Sequence, residues 1–152
     1  FTDATFRDAL VMLSPANPQA NEDGTIAVSL GDRLPGIPHH SVTLAIDYEG
    51  RGWSAGGDLI ARSGQHPIGD EANLTPKVPG YVVVNLRASV RLAEGITAYT
   101  ELRNALGEKY STFGTFSEVD EVELAEAPDA SDPRAYGPGA PRRWIFGVKV
   151  RF

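Results

Sequence analysis

The segment Arg143-Trp144-Ile145-Phe146-Gly147-Val148-Lys149-Val150-Arg151-Phe152 alternates with a period of two. Trp144, Phe146, Val148, Val150 and Phe152 share one face of an extended strand, and Arg143, Gly147, Lys149 and Arg151 share the other with Ile145. One face is apolar and the other cationic. The same period runs from Val82 to Leu92, where Val82, Val84, Leu86, Ala88, Val90 and Leu92 oppose Val83, Asn85, Arg87, Ser89 and Arg91. It recurs in His40–Tyr48, with Val42, Leu44, Ile46 and Tyr48 against Ser41, Thr43, Ala45 and Asp47. A weaker version spans Ile96–Arg103, with Ile96, Ala98, Thr100 and Leu102 against Thr97, Tyr99, Glu101 and Arg103.

These patterns predict an up-and-down arrangement of about six strands, near Phe1–Asp8, His39–Tyr48, Trp53–Arg62, Gly80–Leu92, Ile96–Ala105 and Arg142–Phe152. The connections alternate in length. Glu49-Gly50-Arg51-Gly52 and Ala93-Glu94-Gly95 read as tight hairpin turns, whereas 10–37, 63–79 and 110–141 are long and rich in Pro, Asn, Asp and Gly. A sandwich is usually connected by short turns at both ends; a membrane barrel has short turns on one side and long loops on the other. Strands near ten residues match the ~9 to 11 needed to cross a bilayer at a tilt. Six strands fall short of the ~8 that close the smallest such barrels, and an open edge in lipid leaves backbone groups unsatisfied. The sequence also begins abruptly in strand-like residues. The expectation is therefore a wall segment of something larger, with 1–152 forming one domain portion.

Composition narrows the chemistry. The 152 residues carry a formal net charge of −6, which argues against a nucleic-acid-binding surface over the whole molecule. With no cysteine, disulfides, thiolate metal sites and a nucleophilic Cys are excluded. Sixteen glycines and eleven prolines beside 41% apolar residues describe a turn-rich, folded chain. No apolar run reaches the ~18 residues of a transmembrane helix, and residues 1–20 lack the pattern of a signal peptide.

Five ordered blocks resemble the TonB-dependent outer-membrane receptors of Gram-negative bacteria: Phe1-Thr2-Asp3-Ala4-Thr5-Phe6; Gly31-Asp32-Arg33-Leu34-Pro35-Gly36-Ile37-Pro38-His39-His40; Val78-Pro79-Gly80-Tyr81-Val82-Val83-Val84-Asn85-Leu86-Arg87; Glu101-Leu102-Arg103-Asn104-Ala105-Leu106-Gly107-Glu108-Lys109-Tyr110; and Tyr136-Gly137-Pro138-Gly139-Ala140-Pro141-Arg142-Arg143. The fourth is similar to the family's Asn-Leu-Phe-Asp-x-x-Tyr segment, with Ala105-Leu106-Gly107-Glu108 as the departure. The resemblance implies an all-β fold, an antiparallel up-and-down transmembrane β-barrel segment supplying about six strands of a larger barrel of about 22. It implies an integral outer-membrane location and a chain that is the C-terminal part of the receptor, with the plug domain and remaining strands outside residues 1–152. The implied function is binding of a scarce solute, a ferric siderophore above all, and its import with TonB-derived energy. The implied partners are the rest of the barrel and the plug, the TonB energy-coupling complex, the barrel-insertion machinery, outer-membrane lipid and a small-molecule or metal-chelate ligand. No cofactor, nucleic acid or enzyme activity is implied. Gly147, Val150 and Phe152 resemble the outer-membrane assembly signal, from which Ile145 departs where a polar residue is usual.

Within that frame, Arg87, Tyr99, Glu101 and Arg103 are candidate lumen-facing contacts for ligand or plug, since guanidinium groups suit bidentate capture of carboxylates and anionic chelates. The plain alternative is pairing with plug or neighbouring-strand carboxylates, and Arg87, Glu101 and Arg103 are expected to form such a ladder among themselves. His66, Tyr110, Phe113 and Tyr136 are candidate extracellular-loop contacts, with His66 expected as a solvated loop histidine. His39 and His40, being adjacent, are expected on opposite faces, which disfavours a shared metal. Ser63, His66 and Asp70 have the residue types of a hydrolytic triad but no strand-to-helix elbow to position them. The acidic run Glu118, Asp120, Glu121, Glu123 and Glu126 lacks the spacing of a calcium loop. Tyr48, Trp53 and Phe152 are expected near the short-turn ends and Tyr81, Tyr110 and Trp144 near the long-loop ends, as two interfacial belts. The leading alternative in another class is a stand-alone β-barrel or a soluble β-sandwich that binds or builds.

Overall fold

A computed structural model describes residues 1–117 and 131–152. Their chain folds as strands and turns with no helix: β1 (Leu10–Leu13), β2 (Thr25–Val28), β3 (Ser41–Gly50), β4 (Trp53–Arg62), β5 (Tyr81–Ala93), β6 (Ile96–Arg103), β7 (Ser111–Phe116), β8 (Arg134–Pro138) and β9 (Arg143–Val150). Five of these form one antiparallel sheet in the order β3-β4-β5-β6-β9, and β1-β2 and β7-β8 are separate two-stranded ribbons. The residues divide into two compact units. One comprises 41–62, 81–110 and 139–152, the wall strands with their tight turns; the other comprises 1–40, 63–80 and 111–138, the long connections.

The wall is built as the two-residue period dictates. Its register aligns Val42, Leu44, Ile46 and Tyr48 with Trp53, Ala55, Gly57, Leu59 and Ala61, then with Val82, Val84, Leu86, Ala88 and Val90. The same face continues through Ile96, Ala98, Thr100 and Leu102 to Trp144, Phe146, Val148 and Val150. No charged side chain interrupts it. Phe146, 72% exposed, and Ile46, 76% exposed, would be a large penalty in water and are ordinary against lipid. A soluble sandwich would cover this face with a second sheet, and the wall is a single sheet. β3 and β9 have one neighbour each, so the sheet ends in two open edges that call for further strands.

The first expected strand does not form. Phe1–Asp8 pairs instead with the segment entering β3, through the Thr5–Arg33 bridge and backbone hydrogen bonds from Thr2 to His39, Phe6 to Asp32, Gly31 to Phe6 and Leu34 to Ala4, so the wall has five strands here and not six. Alternation fixes which side chains share a face and not which partner the backbone finds; here the partner is the irregular segment 31–39 and not a wall strand. The first two long connections are more ordered than their Pro/Gly content predicts. Ile26 and Val28 on β2 and Ala72 make a small core, against which Phe6, Met12 and Ala20 pack.

Candidate functional site

The loop unit is organised around a buried carboxylate. Asp70 is 0% exposed and accepts hydrogen bonds from the Leu74 N–H at 2.8 Å, the Thr75 N–H at 2.9 Å and the Thr75 hydroxyl at 2.8 Å. Longer bonds reach it from Asn17 Nδ2 at 3.4 Å and His66 Nδ1 at 3.3 Å. Burial pushes the Asp70 carboxyl up, but the donors from Thr75, Leu74 and His66 outweigh it and hold the group below the usual carboxylate range. An ionised carboxylate only accepts, so His66 carries its proton on Nδ1. Nearby, Ser14 Oγ and Asn17 Nδ2 donate to the Gly69 carbonyl at 2.7 and 2.9 Å, which ties the first long connection to the second. Asn73 completes the tie by reading the Arg33 backbone like a paired strand: it accepts from the Arg33 N–H at 2.7 Å and donates to the Arg33 carbonyl at 2.9 Å. It does so in the left-handed conformation, at φ 55°, which asparagine tolerates better than most residues. The third connection joins through the Ile68 N–H to the Gly114 carbonyl at 2.8 Å and Gln65 Nε2 to the Thr112 carbonyl at 2.8 Å.

His66 is therefore 8% exposed and not the solvated loop histidine expected, because its partner Asp70 draws it inward. No hydrogen bond joins it to Ser63, whose hydroxyl instead accepts from the His40 N–H at 3.0 Å. A His–Asp pair exists; a triad does not. His39 and His40 also depart from expectation. They precede β3, so strand alternation does not govern them, and their rings meet edge to face at 4.4 Å beside Phe1. His39 Nδ1 contacts the Arg33 guanidinium, and partial burial followed by that charge holds its pKa below the ordinary value. A cation beside the ring nitrogen disfavours metal, and among the described residues no cluster of three metal-binding side chains occurs.

The aromatic loop candidates separate. Phe113 pairs with Gly137 and Tyr136 with Gly114, adjacent positions on the β7-β8 ribbon, so the two rings lie on opposite faces and do not form one clamp. Tyr110 packs its ring against Tyr81, 4.4 Å between centroids, beside Gly139. Register places Tyr81 opposite Arg62, on the charged face, so the long-loop belt is carried on the apolar face by Trp144, stacked on Phe146 at 5.6 Å. At the tight-turn end Tyr48 and Trp53 lie 5.0 Å apart on the apolar face, as expected. In the loop unit, exposed Asp132 pairs with Arg134 at 2.6 Å, whose hydrogen bonds lower its pKa to about 2. The acidic run Glu118, Asp120, Glu121, Glu123 and Glu126 lies outside the described residues.

On the charged face of the wall the ion pairs differ from the expected ladder. Arg87 Nε donates to Asp47 Oδ1 at 2.7 Å and Nη2 to Asp47 Oδ2 at 2.5 Å, a bidentate grip, while Nη1 reaches Asp58 Oδ1 at 3.1 Å. Asp47 sits two strands away, with Gly56 between them in the register. A Cβ at Gly56 would overlap the Asp47 carboxylate and meet the Ile46 carbonyl at 2.7 Å, so the bridge requires that glycine. Glu101, directly opposite Arg87, turns instead to Arg103 on its own strand at 3.0 Å. Sequence reading missed Asp47 and Asp58 because pairing across a bare glycine is not a nearest-neighbour relation. Asn85 donates to Asp58 at 2.7 Å and accepts from the Asn104 N–H at 3.0 Å. Asn104 then grips the Glu108 and Ala140 carbonyls at 2.8 and 3.1 Å, a clamp whose only sequence signal is that Asn104 stands where the Asn-Leu-Phe-Asp-x-x-Tyr-like segment of the fourth block begins. Tyr99 and Gly147 face one another across β6 and β9, and the phenol ring occupies the volume that a Cβ at 147 would need.

Comparison with known proteins agrees with this architecture. Residues 4–105 match the family model described as TonB dependent receptor-like, beta-barrel. No curated protein matches the chain in sequence. Among solved structures it is similar to the siderophore receptor PiuA from Acinetobacter baumannii, at 17% identity and a TM-score of 0.63 over 86% of this chain and 16% of that one. The ferric-catecholate import receptor Fiu from E. coli K12 gives 21% identity and 0.58 over 79% of this chain and 15% of that one. The ferric citrate transporter FecA gives 17% and 0.59 over 82% and 19%. Identities this low establish a shared fold, and the chain spans under a fifth of the length of each of these three. Receptors and transporters, not enzymes, share that fold here. With a lipid-compatible face free of charge, open sheet edges and a family match across two thirds of its residues, the chain belongs to the TonB-dependent receptor-like β-barrel family, whose members are integral β-barrels of the Gram-negative outer membrane.

Proposed function

We propose that residues 1–152 are the C-terminal part of an outer-membrane active-transport receptor that binds a scarce solute, a ferric siderophore foremost, and imports it with TonB-derived energy. The plug domain and the remaining strands lie elsewhere in the receptor, and the barrel-insertion machinery recognises Gly147, Val150 and Phe152. The observation that carries this reading is the wall itself: one face without a charge, the other lined with ion pairs, and strands joined alternately by tight turns and by long connections. A mobile enzyme-like pocket is not needed, since uptake breaks no bond. In this reading exposed Phe113 and Tyr136 offer aromatic contacts, with Tyr110 and Tyr99 as further candidates. His66 acts behind the surface by holding Asp70. Arg87 braces the wall through Asp47 and Asp58, and the Glu101–Arg103 pair, which lies within one strand and braces nothing, is the part of the lumen face that can exchange partners with plug or ligand.

Uptake by the native organism under iron limitation tests it. Deleting the gene for the full-length receptor should abolish accumulation of at least one iron-labelled siderophore from a panel of catecholate, hydroxamate and citrate types. Unchanged accumulation across the whole panel would overturn the siderophore assignment.

A further inference from the structure

The charged face of the wall pairs its charges across its middle, whereas at its tight-turn end the acids Glu49 and Glu94 and the cations Arg91, Lys149 and Arg151 share concavities without forming ion pairs. In the middle, Asp47, Gly56, Arg87 and Glu101 are successive cross-strand partners, and every charge among them is paired. Nearer the turns, Arg91 lies opposite Thr97 and Thr97 opposite Lys149, so two cations flank one hydroxyl in a single row over β5, β6 and β9. Arg151 and Glu94 line the same open concavity, of about 540 Å³. Among the described residues none of Arg91, Lys149 and Arg151 forms an ion pair, with Glu94 or with any other acid.

Neighbouring strands are about 4.8 Å apart, so Arg91 and Lys149 stand about 10 Å from one another with Thr97 midway. That spacing admits one carboxylate over Thr97, taking a fork from Arg91, an ammonium from Lys149 and the hydroxyl from below. The wall uses the same chemistry a few rows away, where Asp47 reaches over a small residue to Arg87. A barrel of the transporter size carries a plugged lumen, and cations facing protein instead of bulk water are costly unless paired. We propose that the row Arg91–Thr97–Lys149 seats an Asp or Glu side chain of the segment that fills the lumen, supplied by the receptor's own polypeptide outside residues 1–152. This rests on the receptor reading above.

Zero-length coupling tests it on the full-length receptor, folded in detergent. A water-soluble carbodiimide activates a carboxylate, and an adjacent amine displaces it to form an amide, releasing the urea by-product. Peptide mapping should find Lys149 joined to an Asp or Glu outside residues 1–152. The product should vanish in Lys149→Gln. It should fall about threefold in Arg91→Gln and in 1 M salt, where the screening length is about 3 Å. If Lys149 couples only to Glu94, or to nothing, while the receptor still migrates faster unheated than boiled, solvent ions fill the row and the proposal is overturned. A receptor whose migration ignores boiling is not a barrel, and then the receptor reading fails first.

Discussion

Asp70 has no exposed surface and receives three hydrogen bonds shorter than 3 Å, so its replacement by alanine is the most informative single change in the loop unit. Alanine would strand the Leu74 and Thr75 amides and the Thr75 hydroxyl, and would release Asn17 and His66. A buried donor left without a partner costs about 1–3 kcal/mol. Three of them, partly relieved by entering water, give about 3–6 kcal/mol, or about a 10² to 10⁴-fold rise in loop opening at 1.4 kcal/mol per tenfold. Asp70→Asn should fall between, because its carbonyl still serves one donor while its amide group opposes another. Hydrogen exchange on the full-length receptor reads this directly at Leu74 and Thr75, with heat-dependent gel migration reporting the barrel separately. The expected result is fast exchange confined to the loop unit with the barrel intact. Slow exchange at both amides in Asp70→Ala would refute the central place given to this carboxylate.

The same group sets an acid limit. Its folded pKa lies below the ordinary value of about 3.9, so its contribution is complete above that value and is lost as pH falls through the folded one, where the open form takes up the proton first. Loop protection against protease should therefore hold at neutral pH and drop below about pH 4, and in Asp70→Asn that acid step should disappear. Gly56→Ala should destabilise the wall by about 1–3 kcal/mol, the usual cost of overpacking, by forcing Asp47 off Arg87; a urea midpoint unchanged from wild type would contradict the bridge. Gly147→Ala should lower the folded fraction on refolding by driving the Tyr99 ring aside, and Tyr99→Ala should recover much of it. Equal losses with and without the tyrosine would mean that the glycine serves something other than that contact.

Three residues show how far the sequence alone reaches. Phe146 was assignable to an apolar face from its neighbours at 144, 148 and 150, because a strand's period of two is a local property of the backbone; the strand type, the two faces, the tight turns and the incomplete barrel all follow from that. Asp47 was not assignable to Arg87, forty positions away, because their meeting depends on register, on the order of strands and on a glycine between them. The same holds for Asp70. It lies in a stretch of turn-forming residues that reads as solvated, yet donors from four positions, Asn17, His66, Leu74 and Thr75, converge on it once the first and second connections pack. Local alternation was set by chain geometry and hence legible. Which charge is cancelled, and which at 91, 149 and 151 is left over, was decided only when distant segments shared one surface and each buried polar group needed a partner.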